Sequence, residues 1–293
     1  MSGIVVALLC AITWSCAVIL LKFSGARMHP LALNVVKCLL GLPLLYLTTL
    51  ILEGGIQWPV DWHKTLFLFL SGAIGIGISD GVVLRSMRYL KASQIAMLEC
   101  LFSPFVILLS VFWFGERPSF LVLLGGVFIL ASLLFLKPDE EPLASTLEPN
   151  LKKGSALMAL GLFMMAFGIV MVKPIFVEVP LLSLVTIRML GGLTAAVIMF
   201  AFEKDRRRHF REVLQTPHKV QLLGACFFSS YLSIILWIAG YKYLQATTAA
   251  LLNQTSTVFT VLLAALFLRE HMTRGKVLAL ISAAIGVVLL TLG

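Results

Sequence analysis

Charge is what this 293-residue chain has least of. Asp, Glu, Lys and Arg make up 13% of it, about half the ~25% usual in soluble domains. That scarcity excludes a soluble globular protein, and 60% hydrophobic residues exclude a disordered chain. Cysteine is sparse as well. Cys10, Cys16, Cys38, Cys100 and Cys226 all fall inside apolar runs without metal-ligand spacing, which excludes a disulfide framework and a cysteine metal site. His29, His63, His209, His218 and His271 lie in loops or at the ends of apolar runs. No histidine base is therefore available inside the apolar layer, which argues against an intramembrane enzyme. A nucleotide loop is missing too: Gly75-Ile76-Gly77 sits in an apolar run with no strand before it. The sequence thus calls for no cofactor and no metal. The apolar runs do not alternate with polar residues, which excludes an outer-membrane barrel.

What is present is a series of long apolar runs. About 20 apolar residues cross about 30 Å of hydrocarbon, so the chain has room for about ten spans. The first is Ser2 to Leu21, which lacks the basic start of a signal peptide. It is followed by Pro30 to Leu52, Thr65 to Leu84, Ser93 to Phe114 and Pro118 to Leu136. Lys137 to Lys153 is a polar linker with Pro138, Pro142 and Pro149. The pattern then restarts with Gly154 to Val172, Pro180 to Phe202, Val220 to Tyr241, Ala246 to Leu268 and Val277 to Leu292. The expected fold is an all-α polytopic membrane protein. Residues 1–136 and 154–293 form two five-helix repeats joined by the linker 137–153.

The halves share landmarks. A shift of 151 places Gly3 on Gly154, Lys22 on Lys173, Lys37 on Arg188 and Gly41 on Gly192. A shift of 154 places Tyr89-Leu90-Lys91-Ala92 on Tyr243-Leu244-Gln245-Ala246, Phe105 on Phe259 and Glu116 on Glu270. Five spans per half is an odd number, so the second half enters the membrane from the opposite side. Inverted-topology repeats of this kind belong to secondary transporters, with the substrate site near mid-membrane between the halves.

These residues also carry a resemblance. Thr13-Trp14-Ser15 in a first span ending at Lys22, the turn Tyr89-Leu90-Lys91-Ala92-Ser93, and the turns Phe114-Gly115-Glu116-Arg117 and Leu268-Arg269-Glu270-His271 resemble the EamA-like group of the drug/metabolite transporter superfamily. The resemblance covers nearly the whole chain. It implies a ten-helix basket with a central cavity, small-metabolite transport and, by analogy, export.

The formal charge is +9, but the basic residues sit in short loops beside apolar spans. Topology and lipid headgroups account for them better than nucleic acid. Four of the 23 Lys and Arg lie on the side of the termini and seventeen on the other, which places both termini outside. The family pattern is the reverse, with a basic loop between spans two and three. Here that loop, Glu53 to Lys64, is nearly free of base, and the basic run Lys204 to Arg211 sits in its counterpart in the second half. Short loops suit a bacterial inner membrane, and the chain is expected to act as a monomer or homodimer.

Ionisable residues inside spans are functional candidates by default. There are four: Lys37, Asp80, Glu99 and Arg188. At 1.5 Å per residue, Lys37, Asp80 and Glu99 each lie about 10–12 Å in from one side, and Arg188 about 12 Å in from the other. Lys37 and Arg188 suit a substrate carboxylate or phosphate; Asp80 or Glu99 suits an amine. The competing reading is an ion-pair network, such as Lys37 with Asp80 or Glu99, that fixes helix register. A carboxylate in a low-dielectric setting holds its proton more tightly, so Glu99 first and Asp80 second are candidates for proton coupling. Trp14, Ser15, Ser229, Tyr231, Trp237 and Asn253 are candidate cavity-lining residues. Trp58, Trp62 and Trp113 read as interfacial anchors.

Two function classes lead. One is a secondary exporter of a small polar metabolite, such as an amino acid, a related zwitterion or an organic anion. The other is a proton-coupled exporter of lipophilic cations working through Glu99. A lipid flippase component or an intramembrane enzyme is the least favoured.

Overall fold

The computed structural model describes residues 3–24, 28–86, 89–90, 98–99, 101–135, 150–267 and 273–292. All regular structure among them is helical. In chain order the helices are α1 (Gly3–Ser24), α2 (Pro30–Glu53), α3 (Trp62–Gly72), α4 (Ser79–Ser86), α5 (Phe102–Phe114), α6 (Phe120–Leu134) and α7 (Leu151–Val170). Then follow α8 (Leu181–Ala201), α9 (Arg206–Leu214), α10 (Lys219–Phe227), α11 (Ser233–Tyr243), α12 (Ala246–Asn253), α13 (Thr255–Phe267) and α14 (Arg274–Leu292). Among the described residues, six segments are long and apolar enough to cross a membrane: Gly3–Leu20, Pro30–Glu53, Trp62–Ser86, Leu151–Val170, Leu181–Ala201 and Lys219–Tyr243. Phe102–Phe114, Phe120–Ser132 and Val277–Leu292 are shorter apolar helices. Most of the linker, 137–149, and the segments Lys91-Ala92-Ser93, Cys100 and Arg269-Glu270-His271 lie outside the described residues.

Local chemistry sets the helix ends. Pro30 opens α2, where its missing N–H costs nothing. Gly54 closes α2 at φ +74°, a conformation glycine adopts without Cβ strain, and its N–H returns to the Thr49 carbonyl. The Asp61 and Asn150 side chains cap α3 and α7 by accepting from the amides of His63 and Lys153.

Among the described residues, Lys173–Val177 is a short 3-10 helix and two segments widen instead. Ala73–Ile78 between α3 and α4, and Phe228–Leu232 between α10 and α11, wind as π-helix. The 154-residue shift places 73–78 on 227–232, so the wide turn occurs at one site in both halves. The halves also pack reciprocally. Helix α1 lies against α10, α11 and α13, while its counterpart α7 lies against α4 and α5. Helix α2 meets the second π-turn and its counterpart α8 meets the first. Helices α6 and α14 pack against each other along their lengths.

Close approach around the first π-turn depends on glycine. A Cβ at Gly72 would collide with the Arg188 carbonyl, one at Gly191 with the Phe69 carbonyl, and one at Gly168 would lie 2.8 Å from Gly75 Cα. Small residues let helices associate in lipid by van der Waals contact. The outer surface is apolar: Phe112, Phe202 and Leu134 are more than 80% exposed. Such a surface suits hydrocarbon rather than water.

Candidate functional site

Lys37 on α2 and Asp80 on α4 form an ion pair, Nζ to Oδ2, of 2.8 Å. Their side chains retain 17% and 19% of their accessibility, so the pair lies within the bundle but is not sealed. Cys38 and Cys226 flank it. Glu99 is deep among protein atoms, yet its side chain is accessible. It makes no hydrogen bond or ion pair with the described residues, so of the three acids and bases expected in one layer, two are joined and the third is free.

Arg188 is placed differently. It has no accessible surface and is the largest fully buried side chain. Its Nη1 donates to Ser71 Oγ at 2.6 Å and to the Gly168 carbonyl at 2.7 Å. Its Nε and Nη2 have no acceptor among the described residues. The glycines at 72, 75 and 168 that admit helix contact also close the space around it. Lys37 and Arg188 occupy equivalent places in the repeats, one accessible and the other sealed.

The remaining candidates are spread out. Trp14 is 40% exposed on α1. Tyr231, in the second π-turn, shares a 2.7 Å hydrogen bond with Thr48 of α2. Asn253 is beside the buried Tyr241 hydroxyl, and its Oδ1 is buried without a partner. Ser15 is buried and donates to the Ala11 and Ser256 carbonyls. Ser229 is also buried, next to Ser230. Trp237 lies edge-on to Tyr241.

Two carboxylates outside the candidate site residues organise one end of the molecule. Glu53, at the end of α2, accepts from the amides of Leu182 and Ser183 at 2.9 and 2.8 Å and from Ser183 Oγ at 2.6 Å. It thereby caps α8, the repeat counterpart of its own helix. Thr49 and Thr186 join the same helices one turn deeper at 2.9 Å. Glu116, just after α5, accepts from the amides of Ala246 and Thr247, from Thr247 Oγ, and from Lys173 Nζ at 2.8 Å. It caps α12, which opens the apolar run 246–268, the repeat counterpart of the run 93–114 that ends just before Glu116. A carboxylate at a helix N-terminus satisfies orphan amides and complements the dipole. Partial burial raises the Glu116 pKa, but the Lys173 ammonium and the amides of Ala246 and Thr247 outweigh it and hold the carboxyl below its ordinary range. The repeat marked Glu116 as a landmark; its partners, in the other half of the chain, left no local signal.

These caps lie at the end where the chain begins, since Gly3 sits against Tyr243 and Leu244. At the opposite end Arg85 pairs with Glu203 at 2.8 Å. There the His29 and His209 rings stack 4.2 Å apart.

A helical bundle of two like halves, with an ion pair in its interior and an apolar exterior, defines an integral membrane protein of the transporter class. The model of the EamA-like transporter family matches residues 1–137 and again 152–292. The chain belongs to the EamA-like transporter family, and so to transporters of the drug/metabolite type rather than to a family of enzymes. Its fold is similar to a solved structure described only as "Crystal structure of protein", with TM-score 0.80 and 14% identity, covering 99% of this chain and 96% of that one. No curated protein matches the chain.

Proposed function

We propose that the protein is a secondary active exporter of a small polar metabolite, an amino acid, related zwitterion or organic anion. It would work by alternating access between ten helices arranged as two inverted five-helix repeats. The observation that carries this reading is the contrast between Lys37, accessible and paired with Asp80, and its counterpart Arg188, fully buried with three N–H donors, on Nε and Nη2, unused among the described residues. In an inverted repeat the opposite-facing state exchanges the conformations of the halves. Lys37 then takes the sealed position and Arg188 the open one, where a substrate carboxylate satisfies the orphan donors. In the described state Asp80 neutralises Lys37, and Glu99, unpaired among the described residues, is open to an amine. The Glu53 and Glu116 caps close the terminal end. With both termini outside, this state faces inward, as an exporter loading its cargo would. In this reading the protein works as a monomer or homodimer.

A thermal-stability screen of amino acids, organic acids, sugars, nucleosides and quaternary cations tests the substrate class, because a ligand that binds only the folded state raises Tm. An anionic or zwitterionic metabolite is expected to stabilise the wild type, with the gain lost in Lys37→Gln. Stabilisation by lipophilic cations alone, unchanged in Lys37→Gln and lost in Glu99→Gln, overturns this reading in favour of proton-coupled cation export. One observation favours that second reading: Glu99 is an accessible carboxylate with no basic partner among the described residues.

A further inference from the structure

We propose that α9 is a binding site for an anionic phospholipid headgroup, held by Arg207 and Arg211. The site follows from how nine residues divide around one helix. At about 100° per residue, Arg207, Arg211 and Leu214 fall within an arc of about 60°. Phe210 and Val213 lie to one side of that arc. Val213 is buried, and both pack against Leu31, Val35, Ala196 and Phe200 of α2 and α8. His209, stacked on His29, and Arg206, bonded to the Ala201 carbonyl, belong to the same protein-facing side. Arg208 and Glu212 lie to the other side and neutralise each other at 2.8 Å. The helix therefore has a face toward the protein, a charge-balanced face toward water, and a flank between them.

That flank carries two exposed arginines and an exposed leucine. No acid lies within ion-pair distance of Arg207 or Arg211 among the described residues. They line a surface hollow of about 330 Å³ with Arg208, Glu212 and Gln215, wide enough for a phosphodiester. The helix joins the ends of two membrane-spanning segments, so its flank lies at the depth of lipid headgroups. Phe202 just before it, and Val220 and Leu223 just after, are 85%, 80% and 54% exposed, so the chain is lipid-facing on both sides of α9. A soluble anion has no use for Leu214 and these neighbours; a lipid with a negative headgroup uses both. The site does not depend on what the protein carries.

Titration of the detergent-purified protein with phosphatidylglycerol or phosphatidylcholine, followed by native mass spectrometry, tests the proposal. Phosphatidylglycerol is expected to bind more tightly than phosphatidylcholine. Arg207→Gln/Arg211→Gln is expected to weaken it about thirty-fold, at about one tenfold-scale step or less per basic residue. Lys64→Gln/Glu178→Gln, which removes an exposed ion pair at the terminal end, away from α9, and leaves net charge unchanged, is expected to bind as the wild type does. Circular dichroism establishes that each variant is folded. Equal affinity for the two lipids, equal loss in both variants, or displacement of phosphatidylglycerol by millimolar inorganic phosphate alone overturns the lipid site. The last outcome marks a soluble-anion site instead.

Discussion

Each intramembrane ionisable group meets a different fate, and stability measurements can tell them apart. Lys37 and Asp80 are close enough to act as one unit. Removing one partner strands the other charge, while removing both does not. Lys37→Gln is therefore expected to cost about 1–3 kcal/mol, and Lys37→Gln/Asp80→Asn less than the sum of the single changes. A double-mutant cycle reads the coupling, and additive effects contradict the pair. Arg188 spends a buried charge on two hydrogen bonds and leaves the three N–H donors of Nε and Nη2 unused among the described residues. A flexible apolar side chain of similar length removes that cost, so Arg188→Met is expected to keep or raise Tm while transport falls at least about tenfold. A fall in Tm with transport retained assigns Arg188 a purely structural role. Glu116 has a lowered pKa. Its contribution is complete above the ordinary carboxylate pKa and is lost as pH falls through the lowered native value. Between pH 5 and 8 the Tm difference between wild type and Glu116→Gln is thus expected to stay constant, narrowing only in stronger acid. A difference that changes around neutral pH contradicts the cap.

At the scale of elements, glycine determines where helices meet. The contacts at Gly72 and Gly191 leave no room for a methyl group, and both are made to backbone that cannot swing aside. Gly72→Ala and Gly191→Ala are each expected to destabilise by about 1–3 kcal/mol or more, read as a lower Tm in detergent. Gly224 is a control on the partner bundle, since its nearest neighbour is the end of the Leu20 side chain at 3.2 Å. A Tm for Gly72→Ala equal to that of Gly224→Ala contradicts the packing described. The long spans were legible in the sequence because their apolar runs are unbroken. The π-turns were not, because Ala73–Ile78 and Phe228–Leu232 have the composition of ordinary helix, and a wide turn answers to neighbours that composition does not name. The segment Arg206–Leu214 read as a basic loop because its apolar residues, Phe210 and Val213, are too few to register as a span. Depth alone put Lys37 in one layer with Asp80 and Glu99 and left open which of the two it pairs with; the contact with Asp80 comes from the structure. The sealing of Arg188 was not legible either, since depth gives distance from the membrane surface and says nothing of how tightly Gly72, Gly75 and Gly168 close around a side chain.

For the whole molecule, both halves use one plan while their chemistry differs. Equivalent basic residues sit in open and closed settings, and equivalent apolar runs are joined at the terminal end by Glu53 and Glu116. The repeat was visible in the spacing of Gly, Lys and Glu landmarks. The joints between halves were not, because each carboxylate and the helix it caps are about 130 residues apart. This architecture accounts for a transporter only if the terminal end opens during turnover. Thr49 and Thr186, whose hydroxyls are 2.9 Å apart on facing helices, allow that to be tested. Thr49→Cys/Thr186→Cys would be reconstituted into proteoliposomes and assayed with the metabolite that the stability screen returns, first oxidised and then reduced. The account predicts that the disulfide stops transport, leaves ligand-induced stabilisation intact, and is reversed by reductant. Transport by the cross-linked protein at the rate of the reduced form would contradict it.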